Sequence, residues 1–144
     1  GVAPAPAGGS TRTATVERVV DGDTILVNEG GRRERVRLTG IDTPESVKPD
    51  SPVECFGPQA SAEAKRLLDG RTVTLEFDVE TSDRYGRQLA YVFRRPDGLF
   101  VNEALLRGGY AERFRNTPNR RYVDRLIAAE RAARNAGRGL WGAC

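Results

Sequence analysis

The sequence predicts a mainly β domain of the α+β class, with five strands closed into a barrel and three helices. Three observations predict this fold: strand-like alternation in the first third, one short amphipathic helix after the third predicted strand, and two helical segments at the carboxyl end. The order β-β-β-α-β-β-α-α is that of a five-stranded Greek-key barrel of the OB type, with two helices added at its end. An independent α+β sandwich remains the alternative.

The first three strands are predicted from β-branched residues and two tight turns. TATVERVV begins at Thr13, and TILV follows it after the turn DGD. A Gly-Gly hairpin in NEGGRRERVRL leads into the third strand, whose apolar positions are Val36, Leu38 and Ile41. We expect these segments to form an antiparallel meander, followed by a polar, proline-containing loop from Thr43 to Gly57.

The remaining segments alternate between helical and strand patterns. A short amphipathic helix begins near Pro58 and ends at Gly70. RTVTLEF and RQLAYVFRR alternate apolar and polar residues, which predicts the fourth and fifth strands. A second helix is predicted around VNEALLRGG, and a third over Tyr122–Ala136 ends at Gly137.

Composition is typical of one small domain with a weak preference for polyanionic partners. The 144 residues are 38% hydrophobic, which suits one domain over residues 13–144 after a flexible Pro/Ala/Gly-rich tail over residues 1–12. The formal charge is +3 and the pI about 9.2, so a polyanion is favoured over a cation. Because histidine is absent, Ser-His-Asp and Cys-His nucleophile schemes and the usual imidazole zinc sites are excluded.

The two cysteines, Cys55 and Cys144, are far apart and lack CxxC spacing, which excludes a zinc knuckle or a thioredoxin-like motif. A disulfide is the natural pairing in an oxidising compartment, and two unrelated thiols are the alternative. The bond would close a loop of roughly 90 residues, a stabilisation on the order of 4 kcal/mol. No apolar run is long enough to span a membrane. The cysteine pair leads us to expect a secreted or cell-surface protein.

Acidic residues cluster at two of the predicted strand ends. DGDT carries Asp21 and Asp23 between the first two strands, and GIDTPE carries Asp42 after the third. A hard cation such as Ca²⁺ binds several oxygen ligands, which carboxylates from two neighbouring loops and a backbone carbonyl can supply. Asp23 and Asp42 are the best candidates, although DGDT alone is also an ordinary hairpin turn.

Basic residues near the same strand ends suit a phosphodiester. Its hydrolysis requires an activated water, neutralisation of negative charge and a partner for the leaving oxygen. Arg37 and Arg87 are candidates for the phosphate because a guanidinium binds phosphate oxygens through two N–H groups and keeps its charge. Glu45 is the candidate for activating water. Taken singly, each of these residues is more often a solvated surface residue.

Five segments together resemble the staphylococcal nuclease (thermonuclease) family, in the order and near the spacings of that family: VVDGDTILV, VRLTGIDTPE, CFGPQAS, DRYGRQLAYVF and VNEALLRGGYA. The resemblance extends from Val16 to Trp141. It implies an OB-fold barrel and a monomeric Ca²⁺-dependent nuclease. Such an enzyme would hydrolyse DNA and RNA, with single strands preferred, and release 3′-phosphate products.

The resemblance also implies roles for individual residues. By position, the implied metal ligands are the carboxylates of Asp23 and Asp42 and the backbone carbonyl of Thr43, with Asp21 at the periphery. Glu45 corresponds to the general base. Arg37 and Arg87 correspond to the residues that bind phosphate, and Tyr85 to a residue that lines the nucleotide pocket. The sequence departs from the family after GYA, where substrate-contacting tyrosines are replaced by Arg113, Phe114 and Arg115. We expect Arg113 and Phe114, with Arg84, to contribute substrate contacts instead.

Two other functional classes compete with the nuclease hypothesis. A non-catalytic OB-fold module that binds single-stranded nucleic acid or a protein would also use a basic surface and exposed aromatic residues. A calcium-stabilised structural domain would explain the acidic residues but not Arg37 and Arg87. The coexistence of these two arginines with Asp23, Asp42 and Glu45 favours the nuclease, because a binding module has no use for the whole set.

Overall fold

The computed structural model describes residues 5–46 and 52–144. Its strands are β1 (Thr11–Asp21), β2 (Thr24–Glu29), β3 (Arg32–Leu38), β4 (Ile41–Asp42), β5 (Thr72–Glu76), β6 (Gln88–Arg94) and β7 (Glu112–Arg113). Its helices are α1 (Gly57–Leu68), α2 (Val101–Arg107), α3 (Val123–Ala136) and the single turn α4 (Leu140–Ala143).

Five strands close into a barrel in the order β1-β2-β3-β6-β5, with β5 pairing back to β1. The pairs are antiparallel except β3 with β6, which run parallel. Strand order departs from chain order only at β6 and β5, so the three-stranded meander is completed by a Greek-key crossover. The predicted five-stranded OB-type barrel with three principal helices is confirmed, and the sandwich alternative is wrong.

The barrel interior and the helix-covered end share one apolar core. Inward positions of the strands, including Val16, Val36 and Leu75, are completely buried. Helices α1 and α2 add Leu68 and Leu105 to the same cluster. This continuous core fixes the ends of the strands relative to one another, and the candidate site residues lie at those ends.

Several elements differ from the predicted ones. β1 begins at Thr11, inside the segment 1–12 predicted as a tail, because Thr11 and Arg12 extend the ladder with β5. The pair β4 and β7 and the turn α4 were not predicted, since two to four residues are too short to show a period. Of the predicted loop 43–57, residues 47–51 lie outside the described part of the chain.

A disulfide joins Cys55 to Cys144, with the two Cα atoms 6.0 Å apart. This confirms the pairing expected from the sequence. The bond attaches the last residue, next to α4, to the segment that precedes α1. Within the described residues, none of the helices combines the length and the apolar character needed to cross a membrane.

Candidate active site

The turn between β1 and β2 packs directly against the segment that follows β4. The carboxylate of Asp21 accepts hydrogen bonds from the Gly22 N–H and the Ser46 hydroxyl, both at 2.8 Å. A Cβ atom on Gly22 would lie 2.7 Å from Oγ1 of Thr43. Glycine is therefore required in DGDT for a close approach to Thr43, beyond its suitability for a turn.

Arg37, on β3, is shared between the two carboxylates proposed as metal ligands. Its Nη2 lies 3.4 Å from Oδ2 of Asp23 and 3.3 Å from Oδ1 of Asp42. Asp23 is buried, and its Oδ2 also accepts a hydrogen bond from the Thr43 N–H at 3.1 Å. Two acidic residues that are 19 positions apart in the chain thus converge on the same guanidinium nitrogen.

This arrangement fits a hard cation. Partial burial and the negative charge of Asp23 raise the pKa of the Asp42 carboxyl group above its usual range, against the opposing effect of Arg37. A bound cation would relieve this repulsion, and the buried Oγ1 of Thr43 has no hydrogen-bond partner in the described structure. Among the described residues, no three acidic or cysteine side chains gather as a metal-binding group. Backbone, water or substrate oxygens would have to complete the coordination.

Glu45 lies in the segment that follows these ligands and is held through its backbone. Its N–H donates to Oε1 of Glu54 at 2.7 Å, and its carbonyl accepts from the Glu54 N–H at 2.9 Å. A Cβ on Gly57 would lie 2.3 Å from the Glu45 carbonyl oxygen, so only glycine fits at the start of α1. The half-buried Glu45 is therefore anchored close to the disulfide-bonded residue Cys55.

A turn before β6 orients Arg87. The carboxylate of Asp83 accepts hydrogen bonds from the Arg87 Nε at 2.7 Å, the Arg87 N–H at 3.0 Å and the Tyr85 N–H at 2.9 Å. The guanidinium carbon of Arg87 lies 5.4 Å from the centre of the Tyr85 ring. Arg84 donates to the Tyr85 hydroxyl at 2.7 Å. Asp83 was not predicted as a functional residue, although an Asp that opens a turn ending in Gly is a detectable signal.

The two phosphate-binding candidates line one cleft of about 570 Å³. Its walls include Arg37, Arg84, Tyr85, Arg87 and Phe114. The guanidinium of Arg37 lies 5.5 Å from the centre of the Phe114 ring. Tyr85 is 68% exposed and Phe114 is 41% exposed, so each aromatic ring offers area to a ligand as well as to its arginine.

The structure separates Arg113 from the other substrate-binding candidates. Arg113 is not among the cleft-lining residues; it lines a neighbouring groove together with residues of α3. Its N–H donates to the buried carboxylate of Glu130 at 2.6 Å, and the next N–H, that of Phe114, donates to the Gly40 carbonyl at 2.9 Å. Glu130 was not predicted either, because a contact between residues 17 apart carries no local pattern.

Comparison with known proteins identifies close relatives along most of the chain. The family described as "Staphylococcal nuclease homologue" matches residues 35–143. A thermonuclease from Staphylococcus hyicus is 41% identical over 130 residues, which cover 90% of this chain and 76% of the relative. A thermonuclease from Staphylococcus intermedius is 43% identical over 126 residues, covering 88% and 74%. Endonuclease YncB from Bacillus subtilis is 40% identical over 129 residues, covering 88% and 60%.

Proposed function

This chain belongs to the staphylococcal nuclease family, and we propose that it is a calcium-dependent nuclease. Its substrates are DNA and RNA, with single strands preferred, and it cleaves phosphodiester bonds within strands and at their ends to leave 3′-phosphates. The observation that carries this proposal is the position of Arg37, which lines the cleft containing Arg87 and also bridges Asp23 and Asp42. The arginines that would bind phosphate therefore lie next to the carboxylates that would bind the metal ion.

Asp23 and Asp42 are the residues that would hold Ca²⁺, with the Thr43 carbonyl as a further ligand and Asp21 at the periphery. Bound there, the ion supplies positive charge that stabilises the developing negative charge on phosphate oxygens and lowers the pKa of a nearby water. Asp21 is itself occupied by the Gly22 N–H and the Ser46 hydroxyl, which suits a peripheral role. Asp23 is braced by the hydroxyl of Thr24 at 3.0 Å.

Arg37 and Arg87 bind the scissile phosphate. Each guanidinium offers paired N–H groups that match two phosphate oxygens. Asp83 takes the Nε edge of Arg87, which fixes the plane of the guanidinium and leaves its Nη edge for the substrate. These contacts strengthen as negative charge accumulates on the phosphate, and they lower the barrier for this reason.

Glu45 accepts a proton from the attacking water in this proposal. A carboxylate acting as a general base contributes only when it is held within hydrogen-bonding reach of the water. The two hydrogen bonds between the backbone of Glu45 and Glu54 support such a fixed position. Tyr85 and Phe114 provide exposed ring faces on which bases can stack, which suits single strands rather than paired duplex.

The same features support two further parts of the proposal. Both arginines and both carboxylates come from one chain, so a monomer suffices for activity. The Cys55–Cys144 disulfide is typical of proteins in oxidising compartments and supports a secreted or cell-surface location.

Substitution of Glu45 and Arg87 tests the assignment. We expect Glu45→Gln and Arg87→Ala each to lower kcat on single-stranded DNA by a factor of about 10² to 10⁴, because each removes a group that acts mainly in the transition state. Glu34→Gln and Arg32→Ala, on β3 but outside the cleft-lining set, are matched controls and should retain wild-type rates. Circular dichroism verifies that all four variants fold. A wild-type rate in either site variant would refute the role of that residue.

A non-catalytic module that binds single-stranded nucleic acid is the alternative, and the exposed rings of Tyr85 and Phe114 favour it specifically. Such a module would bind an oligonucleotide and leave it intact with every divalent cation. Recovery of full-length oligonucleotide after prolonged incubation with wild-type protein and Ca²⁺ would select this alternative over the nuclease.

A further inference from the structure

A second basic depression lies beside the cleft, between one face of α3 and a wall formed by the end of β7 and the residues that follow it. We call it the basic groove; it has a volume of about 480 Å³ and is lined by Arg113, Arg115, Arg131 and Arg134 together with Ile127, Glu130 and Asn135. Ile127 lies three and four residues before Glu130 and Arg131, and Arg134 lies four and three residues after them, so the four residues share a face of α3.

The charge of the basic groove is concentrated and mostly uncompensated. Four arginines against one glutamate give a formal charge of +3, which equals the net charge of the entire chain. Arg115 lies 3.9 Å from Glu130. Across residues 5–46 and 52–144, no carboxylate lies within ion-pair distance of Arg113, Arg131 or Arg134. Most of the positive charge of the groove is therefore available to an anion.

Glu130 mainly fixes the structure of the groove and neutralises only a small part of its positive charge. Its buried carboxylate accepts the Arg113 N–H at 2.6 Å and so fastens the end of β7 to α3. Trp141 has a similar supporting role, because the guanidinium of Arg134 lies 4.8 Å from the centre of its ring. The arginines are consequently held along both walls of a preformed depression.

The basic groove and the cleft share one wall. Phe114 lines the cleft, whereas its neighbours Arg113 and Arg115 line the groove. Between the two, a small depression is lined by Gly40 and by residues 113–115, which makes the surface continuous. A strand that leaves the cleft past Phe114 would meet the basic groove next.

We propose that the basic groove binds the sugar-phosphate backbone of the single strand beyond the cleaved bond, as a sequence-independent exosite. This inference rests on the proposed function, because the strand in the groove is taken to be the substrate of the nuclease. The ligand is a run of phosphates with no base preference, because the groove offers guanidinium groups and the only exposed ring nearby, among the described residues, is that of Phe114. Long substrates should therefore bind more tightly than dinucleotides.

The test compares Arg131→Gln/Arg134→Gln with the control Arg18→Gln/Arg32→Gln, which removes the same charge from exposed residues outside the described cavities. Binding of a fluorescent 20-nucleotide single strand is measured by anisotropy in chelator across a salt series. For the groove variant we expect affinity about fivefold lower, because single exposed charge pairs are weak. The slope of log K against log salt should also become less steep by about 1.4, because each of the two lost phosphate contacts contributes roughly 0.7.

Cleavage kinetics supply the second readout. In the groove variant, KM for the 20-nucleotide strand should rise about fivefold while kcat and the rate on a dinucleotide stay unchanged. Arg131→Gln alone, which keeps the Arg134–Trp141 contact, should give about half of the change in salt slope. Equal effects of the groove and control variants on binding would overturn the exosite. Loss of wild-type cleavage of both substrates would instead overturn the proposed function, and anisotropy would still decide the exosite.

Discussion

Replacement of Cys55 and Cys144 by serine opens the covalent link between the last residue and the segment before α1, and its effect on stability can be worked out from chain length. The two cysteines are 89 residues apart in sequence. For a loop of this length, the chain-entropy relation gives a loss of between about 4 and 5 kcal/mol in the free energy of unfolding. The loss arises in the unfolded chain, which gains conformational freedom when the link is absent.

The corresponding shift in melting temperature follows from the entropy of unfolding. At about 2.1 cal/mol/K per residue, 144 residues unfold with an entropy of about 300 cal/mol/K. The double serine variant should therefore melt about 15 °C below the wild type. Native contacts of α4, such as the Leu140 N–H to the Gly109 carbonyl at 2.8 Å, remain in the variant and are not part of this difference.

Thermal unfolding followed by circular dichroism measures the shift directly. A reducing agent should bring the wild type down to the melting temperature of the double serine variant and should leave that variant unchanged. A difference of less than about 3 °C between wild type and variant would refute the entropic reasoning. An equal effect of reductant on both proteins would show that the stability change does not come from the Cys55–Cys144 bond.

Two further predictions concern the cleft and its edge. Because partial burial and Asp23 raise the pKa of Asp42, folding favours the protonated carboxyl group, and this group contributes less stability as pH rises through the raised value. The Asp42 side chain is 57% exposed, so solvent screens this effect, and Asp42→Asn should raise stability in chelator by less than about 1 kcal/mol at pH 7 and not at all at pH 3, in urea denaturation. Calcium should then stabilise the wild type and not the variant, and an equal calcium shift in both would contradict the metal assignment. Asp83→Asn weakens the hydrogen bonds that orient Arg87 and should lower kcat/KM about tenfold. The control is Asp97→Asn, which alters a similar Asp–Arg pair outside the cleft. Equal effects of the two substitutions on kcat/KM would show that Asp83 does not act by orienting Arg87.

The barrel could be predicted because its strands are long enough to show alternation. In β3 the alternate residues Val36 and Leu38 are buried, and in β6 the alternate residues Ala90 and Val92 are buried. The pair β4 and β7 could not be predicted, since each strand has two residues and exists only through its partner. Ile41 and Asp42 are thereby fixed by pairing with Arg113 and Glu112, which lie 72 and 70 residues further along the chain.

The residues of the candidate site also differ in whether the sequence could reveal them. Asp23, Asp42 and Arg37 could be chosen from sequence because turns and strand ends carry recognisable residue patterns, and the structure brings the three together. Asp83 acts within a local turn and could have been found there. Glu130 could not, because its partner Arg113 is reached only through the packing of α3 against β7.

The most direct test of the central claim is digestion of a 5′-labelled single-stranded DNA by the wild-type protein, with Ca²⁺ and with chelator, followed by analysis of the product ends. The proposed function predicts cleavage with Ca²⁺, none in chelator, and fragments that a polymerase extends only after phosphatase treatment. Undiminished cleavage in chelator, or fragments that are extended without phosphatase and so end in a 3′-hydroxyl, would contradict it.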